Sequence, residues 1–312
     1  MPYSSAVRIL SDDLANAIRG THLTARREGN SLFVRHPAYL TRIDVFEPRN
    51  RDSDNGSIKA VVRVRTELSS EMAAFLATPE TAATMNAMAT TAALTIDEDK
   101  IYLGSRLTLF ASEDAWNVQA PLVLFSIVGG ADSLLGAIRK TLTGQSSDES
   151  ESAWTERDLA QVEQYLSRVC VCTTGGLGLS AEFALQDNAV SAIAGDRNTA
   201  LWRILGDQPH PEVGGGLFCQ LQLPHQFQQE SRLAAILAHL NQVEMSTYDL
   251  PPHFGAWCRS ESGNSPTYVS FLPNALHETP GIAVNMSVWA MFRAQWASRE
   301  LSALGYTRAE MP

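Results

Sequence analysis

One hairpin pattern occurs twice in this chain of 312 residues, and that repetition restricts the fold more than any other feature. The clearer copy, FGAWCRSESGNSPTYVSFLPNAL (Phe254–Leu276), has two alternating runs around a Ser-Gly-Asn-Ser turn. A looser copy, ALTIDEDKIYLGSRLTLFASE (Ala93–Glu113), lies much earlier. Two copies so far apart predict a duplicated domain rather than a solenoid, whose repeats are roughly 20–50 residues long.

The elements around the two hairpins also follow one order, which is helix, three strands, helix, two strands, helix. The opening helix is predicted from apolar residues at helical spacing, namely Val7, Leu10, Leu14 and Ile18. A helix around Thr84–Leu94 is predicted before the first hairpin. Pro121 and Pro280 are predicted to introduce the helices that close the two halves.

The composition changes between the halves. The segment GQSSDESESAWTERD is small, polar and acidic, which is typical of a linker. We therefore predict a first module over residues 1–145, an acidic linker over 146–156 and a second module over 157–312. Each module is expected to be α+β, with an antiparallel sheet covered by helices, and the two to be related by a pseudo-two-fold axis.

Strand, helix and hairpin stretches from both halves together carry a family resemblance. They are LFCQLQLP, LAAILAHLNQVE, FGAWCRSE and TYVSFLPNAL in the second half, and VVRVRTEL and MNAMATTAALTIDEDKIYLGSRLTLF in the first. The pattern resembles the type III secretion chaperone fold and its YbjN-like, Tir-chaperone-like relatives. The resemblance implies acidic domains whose sheet and apolar grooves bind a partner polypeptide, commonly as homodimers, without cofactor or catalytic residues. Two fused copies would imitate such a dimer within one chain.

Charge and composition narrow the choice of partners. The chain has 24 basic and 34 acidic residues, a net charge of −10, which disfavours nucleic acid as a partner. In TARREGNSLFVRH, strand alternation places Arg26 and Arg27 on opposite faces of a solvated edge strand. Neither a signal peptide nor a membrane span is predicted, and four cysteines are too few for a disulfide scaffold, so we expect a cytoplasmic protein.

The motifs that suggest chemistry have simpler structural interpretations. TTGGLGLS (Thr173–Ser180) follows a helix and precedes a strand, the reverse of a phosphate-binding loop, so we interpret it as a helix end and turn. The cysteine spacing does not match structural zinc sites, the relevant residues being Cys170, Cys172, Cys219, Cys258, His225 and His253. No cofactor, metal or catalytic residue is predicted.

The leading hypothesis is a non-enzymatic protein, a chaperone or adaptor, that captures an extended or helical segment of a partner at a sheet edge or in a groove. The candidate contact residues on the hairpins are Phe254, Trp257, Tyr268, Phe271, Tyr102, Leu107 and Leu109. Because residues on a strand alternate between its faces, some of these must belong to the core. The last predicted helix adds Trp289, Phe292 and Trp296, which pack on their own sheet or receive a partner.

Two other functions stay open. One is an enzyme or small-ligand binder that uses Cys219 or Cys258 with a histidine. The other is a structural subunit that self-associates through the aromatic helix. The chain is accordingly expected to be either a monomeric pseudo-dimer or a homodimer.

Overall fold

The computed structural model of the chain describes residues 5–19, 21, 23–36, 39–47, 58–97, 100–110, 116–145, 150–185, 199–260 and 264–306. The first half contains α1 (Ser5–Arg19), β1 (Thr24–Glu28), β2 (Ser31–Arg35), β3 (Leu40–Phe46), β4 (Ile58–Glu67), α2 (Ser70–Phe75), α3 (Pro79–Met85), β5 (Ala93–Asp97), β6 (Lys100–Phe110), α4 (Trp116–Val128) and α5 (Gly130–Thr143). The second half contains α6 (Glu156–Leu166), β7 (Val171–Gly175), β8 (Gly178–Ala184), β9 (Thr199–Leu205), β10 (Gly216–Gln222), α7 (Glu230–Ser246), β11 (Ala256–Arg259), β12 (Pro266–Pro273) and α8 (Ile282–Ala303).

The strands form two six-stranded antiparallel sheets with the same order. The first is β1-β2-β3-β4-β6-β5, and the second, counted from its corresponding edge, is β7-β8-β9-β10-β12-β11. The predicted α+β class with a repeated antiparallel layout is therefore confirmed.

Each half has four strands, not three, before its final hairpin. TARREGNSLFVRH folds as a hairpin, β1 and β2, whose turn contains Gly29 at φ 60°. The glycine-rich segment TTGGLGLS likewise forms the turn between β7 and β8, with Gly176 at φ 56°, rather than the end of a helix. A positive φ favours glycine, so Gly29 and Gly176 each mark a turn between two strands.

The helix predicted around Thr84–Leu94 lies earlier in the chain, as α2 and α3. A short 3-10 turn at Asn86–Met88 follows α3, and β5 begins at Ala93. The Asn86 side chain donates to the Leu94 carbonyl and accepts from the Leu94 amide, at 3.1 and 2.8 Å. These bonds fix the return of the chain into β5. Pro121 also differs from the prediction, since it lies inside α4 instead of at its start.

The opening helix of each half covers one face of its sheet. The predicted α1 residues, Val7, Leu10, Leu14 and Ile18, are all buried. In the second half, the Thr155 amide donates to Asp158 at 2.8 Å, which forms a capping box at the start of α6. Burying these stripes against the strands supplies the hydrophobic stabilisation of both sheets.

The two halves pack through corresponding elements. Helices α3 and α7, which precede the final hairpin of their respective halves, contact each other. Helix α7 also contacts β5, and α3 contacts β11, the corresponding strand of the other half. Because each contact has its counterpart, the interface has the isologous arrangement of a two-fold dimer.

Backbone hydrogen bonds join the halves at the fifth strand of each sheet. Arg106 in β6 exchanges two bonds with His253, with N···O distances of 3.1 and 2.7 Å. Phe271 in β12 donates to the Thr90 carbonyl at 3.1 Å. In each half, the segment before the last hairpin thus bonds to the strand edge that the other half's hairpin leaves uncovered.

The described part of the predicted linker is packed on the second half. Trp154 is buried, and the Ser150 hydroxyl accepts from the Gly215 amide. Asn274 binds Glu151 and Ala153 through its side chain. Residues 146–149 lie outside the described residues. Among the described helices, none is long and apolar enough to cross a membrane alone, and α4 and α5 reach that length only as a pair bent by 52°.

Candidate functional site

An open groove of about 790 Å³ lies between α2 and α5 in the first half. Its apolar lining comes mainly from Met72, Phe75, Leu135, Ile138 and Leu142. Phe75 and Leu142 are 49% and 60% exposed, whereas Leu135 and Ile138 are buried beneath them. Large apolar side chains that face solvent in a concave surface are typical of an interaction site.

The α2 wall exists because the polypeptide breaks after only six helical residues. Ser69 caps the start of α2 by accepting from the Met72 amide at 3.3 Å. Thr78 caps α3 by accepting from the Thr81 amide at 3.1 Å, and Pro79 occupies the first turn. A capped helix start with proline in its first turn cannot continue a preceding helix. Helix α2 is therefore separate from α3, and its Phe75 is exposed.

The α5 wall follows a second break. Helix α4 ends at Val128, and the chain bends by 52° at Gly129 before α5 begins. Ser133, in the first turn of α5, is within 2.7 Å of the Thr90 hydroxyl and thereby fixes the direction of the helix. Leu134, Leu135 and Ile138 then pack on the sheet, while Leu142 extends into solvent.

One end of the groove is closed by a polar group from the first half. His36 Nε2 lies 3.3 Å from Asp132 Oδ2, and the His36 ring stacks on Tyr39 with centroids 5.4 Å apart. Burial, with a smaller contribution from Asp132, raises the pKa of Tyr39. Tyr39 therefore stays a neutral hydroxyl at this end of the groove.

A loop from the second half also lines the groove. The Glu212 carboxylate lies against Gly136, where a Cβ would overlap it, and 3.3 Å from Lys140 Nζ. The loop is held by His210, whose Nε2 lies 2.9 Å from the Met88 carbonyl. Burial lowers the pKa of His210, so this contact is made by a neutral imidazole. Both halves therefore contribute to the groove.

Nine of the ten predicted contact residues are buried or half-buried. The seven on the hairpins, Phe254, Trp257, Tyr268, Phe271, Tyr102, Leu107 and Leu109, have at most 7% of their surface exposed. They are not available to a partner here, because helices cover one face of β6 and β12 and the other half covers the opposite face. On α8, Trp289 and Trp296 pack against the core, and Phe292 is 54% exposed.

Several of these residues surround a buried charge cluster, which consists of Arg106, Glu244, His253 and Arg293. Arg293 Nε donates to Glu244 Oε1 at 2.7 Å, and Trp257 Nε1 donates to Oε2 at 2.8 Å. His253 Nδ1 lies 3.3 Å from the same Oε2.

Arg106 enters this cluster from the first half. Its Nε donates to the Glu244 carbonyl at 3.0 Å and its Nη2 to the Pro251 carbonyl at 2.8 Å. The cluster therefore ties β6 of one half to α7 and α8 of the other.

The electrostatics of the cluster favour a charged Glu244. Burial alone would raise the pKa of Glu244, but Arg293, followed by His253 and Trp257, lowers it to about 2. Burial lowers the pKa of Arg106 to about 10, which still leaves it protonated at neutral pH. Burial also lowers the pKa of His253, against the attraction of Glu244. The geometry is that of a structural network whose members are enclosed on all sides.

The cysteines lack the features of a nucleophile. Cys219 and Cys258 are fully buried, and burial raises the pKa of both thiols, that of Cys219 to about 12. Burial also raises the pKa of Cys170 and, helped by Cys170, that of Cys172 to about 11. Among the described residues, no three His, Cys, Asp or Glu side chains are arranged to hold a metal ion.

Comparison with protein-family models, curated proteins and solved structures finds no match to this chain. Any statement about function therefore depends on the geometry of the groove and the packing around it.

Proposed function

We propose that this protein binds a segment of a partner polypeptide in the groove between α2 and α5. The observation that carries the proposal is the pair of exposed apolar side chains, Phe75 and Leu142, on opposite walls of one concave surface. A groove with apolar walls accepts the apolar face of an amphipathic helix or an extended segment. The openness of this surface suits a polypeptide better than a small ligand, which is usually enclosed for most of its surface.

The binding mode differs from the one expected from the hairpins. The resemblance to secretion chaperones implied capture by the sheet or by apolar grooves. Among the described residues, those predicted on the hairpins are buried, whereas the groove between α2 and α5 is accessible. The proposed role is that of a chaperone or adaptor, with the cytoplasm as the expected compartment. The four free cysteines are consistent with that compartment.

The alternative that uses a Cys–His pair receives no support from the geometry, because the thiols of Cys219 and Cys258 are buried and resist ionisation. Self-association through α8 retains one exposed aromatic residue, Phe292. Phe292 is therefore a useful control position for any test of the groove.

The test begins with peptides selected from a phage-displayed random library on the intact wild-type protein. Selected peptides are labelled and measured by fluorescence anisotropy against Phe75→Asp, Leu142→Asp and Phe292→Asp. We expect each groove variant to weaken binding by about tenfold or more, a loss of about 1.4 kcal/mol, and Phe292→Asp by less than about twofold.

Failure to select any peptide, or equal losses in all three variants, would overturn the proposal. Light scattering across a range of concentrations tests the other hypothesis, self-association through α8. A dimer that Phe292→Asp converts to a monomer would assign α8, and not the groove, as the main apolar contact surface.

A further inference from the structure

The outer face of the first sheet, opposite α1, carries a set of arginines that folding alone does not explain. Arg26 in β1, Arg42 in β3, and Arg63 and Arg65 in β4 form this arginine face. Cross-strand register places Arg26 opposite Phe33, Phe33 opposite Arg42, and Arg42 opposite Arg65. Arg26, Arg42 and Arg63 side chains are 75%, 51% and 21% exposed.

Aromatic rings hold these guanidinium groups in place. Arg26 and Arg42 both lie over the Phe33 ring, at 6.0 and 5.8 Å from its centroid. Arg63 lies over Phe46 at 5.3 Å, and Arg65 over Tyr102 at 4.8 Å. Side chains already oriented in this way lose little further freedom when they bind a ligand.

The charges on this face are not balanced within the sheet. Arg42 lies directly opposite Arg65, and Arg63 directly opposite the buried Arg106. Like charges at directly opposed positions destabilise a sheet. Glu28 Oε1 lies 2.6 Å from Arg26 Nη2. Asp44 accepts from Arg42 Nε at 2.8 Å and lies 3.6 Å from Arg63 Nη2. Positive charge therefore accumulates on one face of a chain whose net charge is −10.

We propose that the arginine face binds an acidic, extended polypeptide segment, at a site distinct from the groove. The planar fork of a guanidinium group matches a carboxylate through two parallel hydrogen bonds. The ring of Phe33 is already covered by arginines, so it is not a free platform for stacking nucleobases. These observations favour carboxylates as the ligand groups.

The chain supplies a matched control on the same strand. Arg27 follows Arg26 in β1 but faces α1, where it binds Asp12 at 2.5 Å. Arg19 is exposed at the end of α1. The double variant Arg26→Gln/Arg42→Gln removes two charges from the arginine face. The double variant Arg27→Gln/Arg19→Gln removes two charges from elsewhere on the same half.

The probe is a fluorescein-labelled peptide of alternating glutamate and serine, measured by anisotropy with the full-length protein at low and moderate salt. We expect the arginine-face variant to weaken binding by about tenfold and the control variant by less than about twofold. Arg42 contacts Asp44, which is largely buried, whereas Arg26 pairs with the exposed Glu28. The single variant Arg26→Gln, at the most exposed position, is therefore measured as well and is expected to weaken binding without affecting folding. Replacing both arginines with lysine keeps the charge but removes the fork, so an intermediate loss is expected.

Three results would overturn the proposal. They are no binding of the acidic peptide by wild type, equal losses in the two glutamine double variants, and tighter binding of a labelled oligothymidine that requires the same arginines. Phe75→Asp is expected to leave binding of the acidic peptide unchanged. The experiment thereby distinguishes failure of the groove proposal from failure of the arginine-face proposal.

Discussion

The two halves share a topology but differ in whether their helices are continuous. In the second half, α7 runs unbroken for 17 residues and α8 for 22. In the first half, the helices at the corresponding places are each divided in two, at Thr78–Pro79 and at Gly129–Gly130. The groove lies between α2 and α5, one piece from each divided pair.

The difference shows how one fold can serve two purposes. The continuous helices of the second half carry Glu244 and Arg293, which must stay aligned to satisfy each other in the interior. The divided helices of the first half direct Phe75 and Leu142 to solvent. The second half therefore supplies three of the four members of the buried charge cluster, and the first half supplies an accessible apolar surface.

The largest effect is expected from removing the charge that the continuous helix α7 carries. Glu244→Gln leaves Arg293 without its buried counter-ion, so we expect a loss of about 3–5 kcal/mol in the free energy of unfolding, measured by urea denaturation. Glu182→Gln, the same change at an exposed site on β8, is the control and should stay within about 0.5 kcal/mol. Equal effects would show that Glu244 does not hold the second half together.

Acidification is expected to weaken the same network by a similar but smaller amount. The pKa of Glu244 is about 2 in the folded protein against an ordinary 4.5, so the unfolded chain takes up the proton first. Its stabilisation is present above pH 4.5 and is lost as the pH falls towards 2, by about 3 kcal/mol. His253, whose pKa is also lowered, adds a loss in the same direction below pH 6.5.

Urea denaturation at several pH values measures this dependence. Glu244→Gln should flatten the part between pH 4.5 and 2. It should enlarge the part that arises from His253, because Glu244 opposes the lowering of the His253 pKa by burial. An unchanged profile in the variant would assign the acid sensitivity to other carboxylates.

The smallest effect is expected at the break between α2 and α3. Thr78→Ala removes the side chain that caps α3, which should lower the free energy of unfolding by about 1 kcal/mol. Thr84→Ala, at an exposed position within α3, is the control and should change it by only a few tenths. If Thr78→Ala also weakens peptide binding in the groove, the capped break and the binding surface are coupled.

Much of the fold was predictable from pattern. The repeated antiparallel layout follows from the order of elements along the chain, and the α1 stripe from apolar residues at helical spacing. The fourth strand of each half was missed because every residue of β1 is exposed, so its sequence shows no alternation of apolar and polar residues. The Gly29-Asn30 turn between two short runs was the signal that marked this hairpin.

The groove was not predicted, for a different reason. The alternating hairpins suggested accessible faces, but the other half covers them, and a single sequence does not reveal which face another domain will occupy. Phe75 lies in a segment whose pattern alone does not separate a core helix from an exposed one. The Thr78-Pro79 pair was the available signal, since it places a helix start directly after α2.

The backbone hydrogen bonds that join the two halves are not the same on both sides. In the second half the Phe271 amide donates one bond to the Thr90 carbonyl, whereas in the first half the Arg106 backbone exchanges two bonds with His253. The arginine requires the carbonyls of residues 244, 250 and 251, which only the second half presents to it. The two crossings therefore differ, since the guanidinium group reinforces the one at β6. At this interface the two halves make different contacts and are not interchangeable.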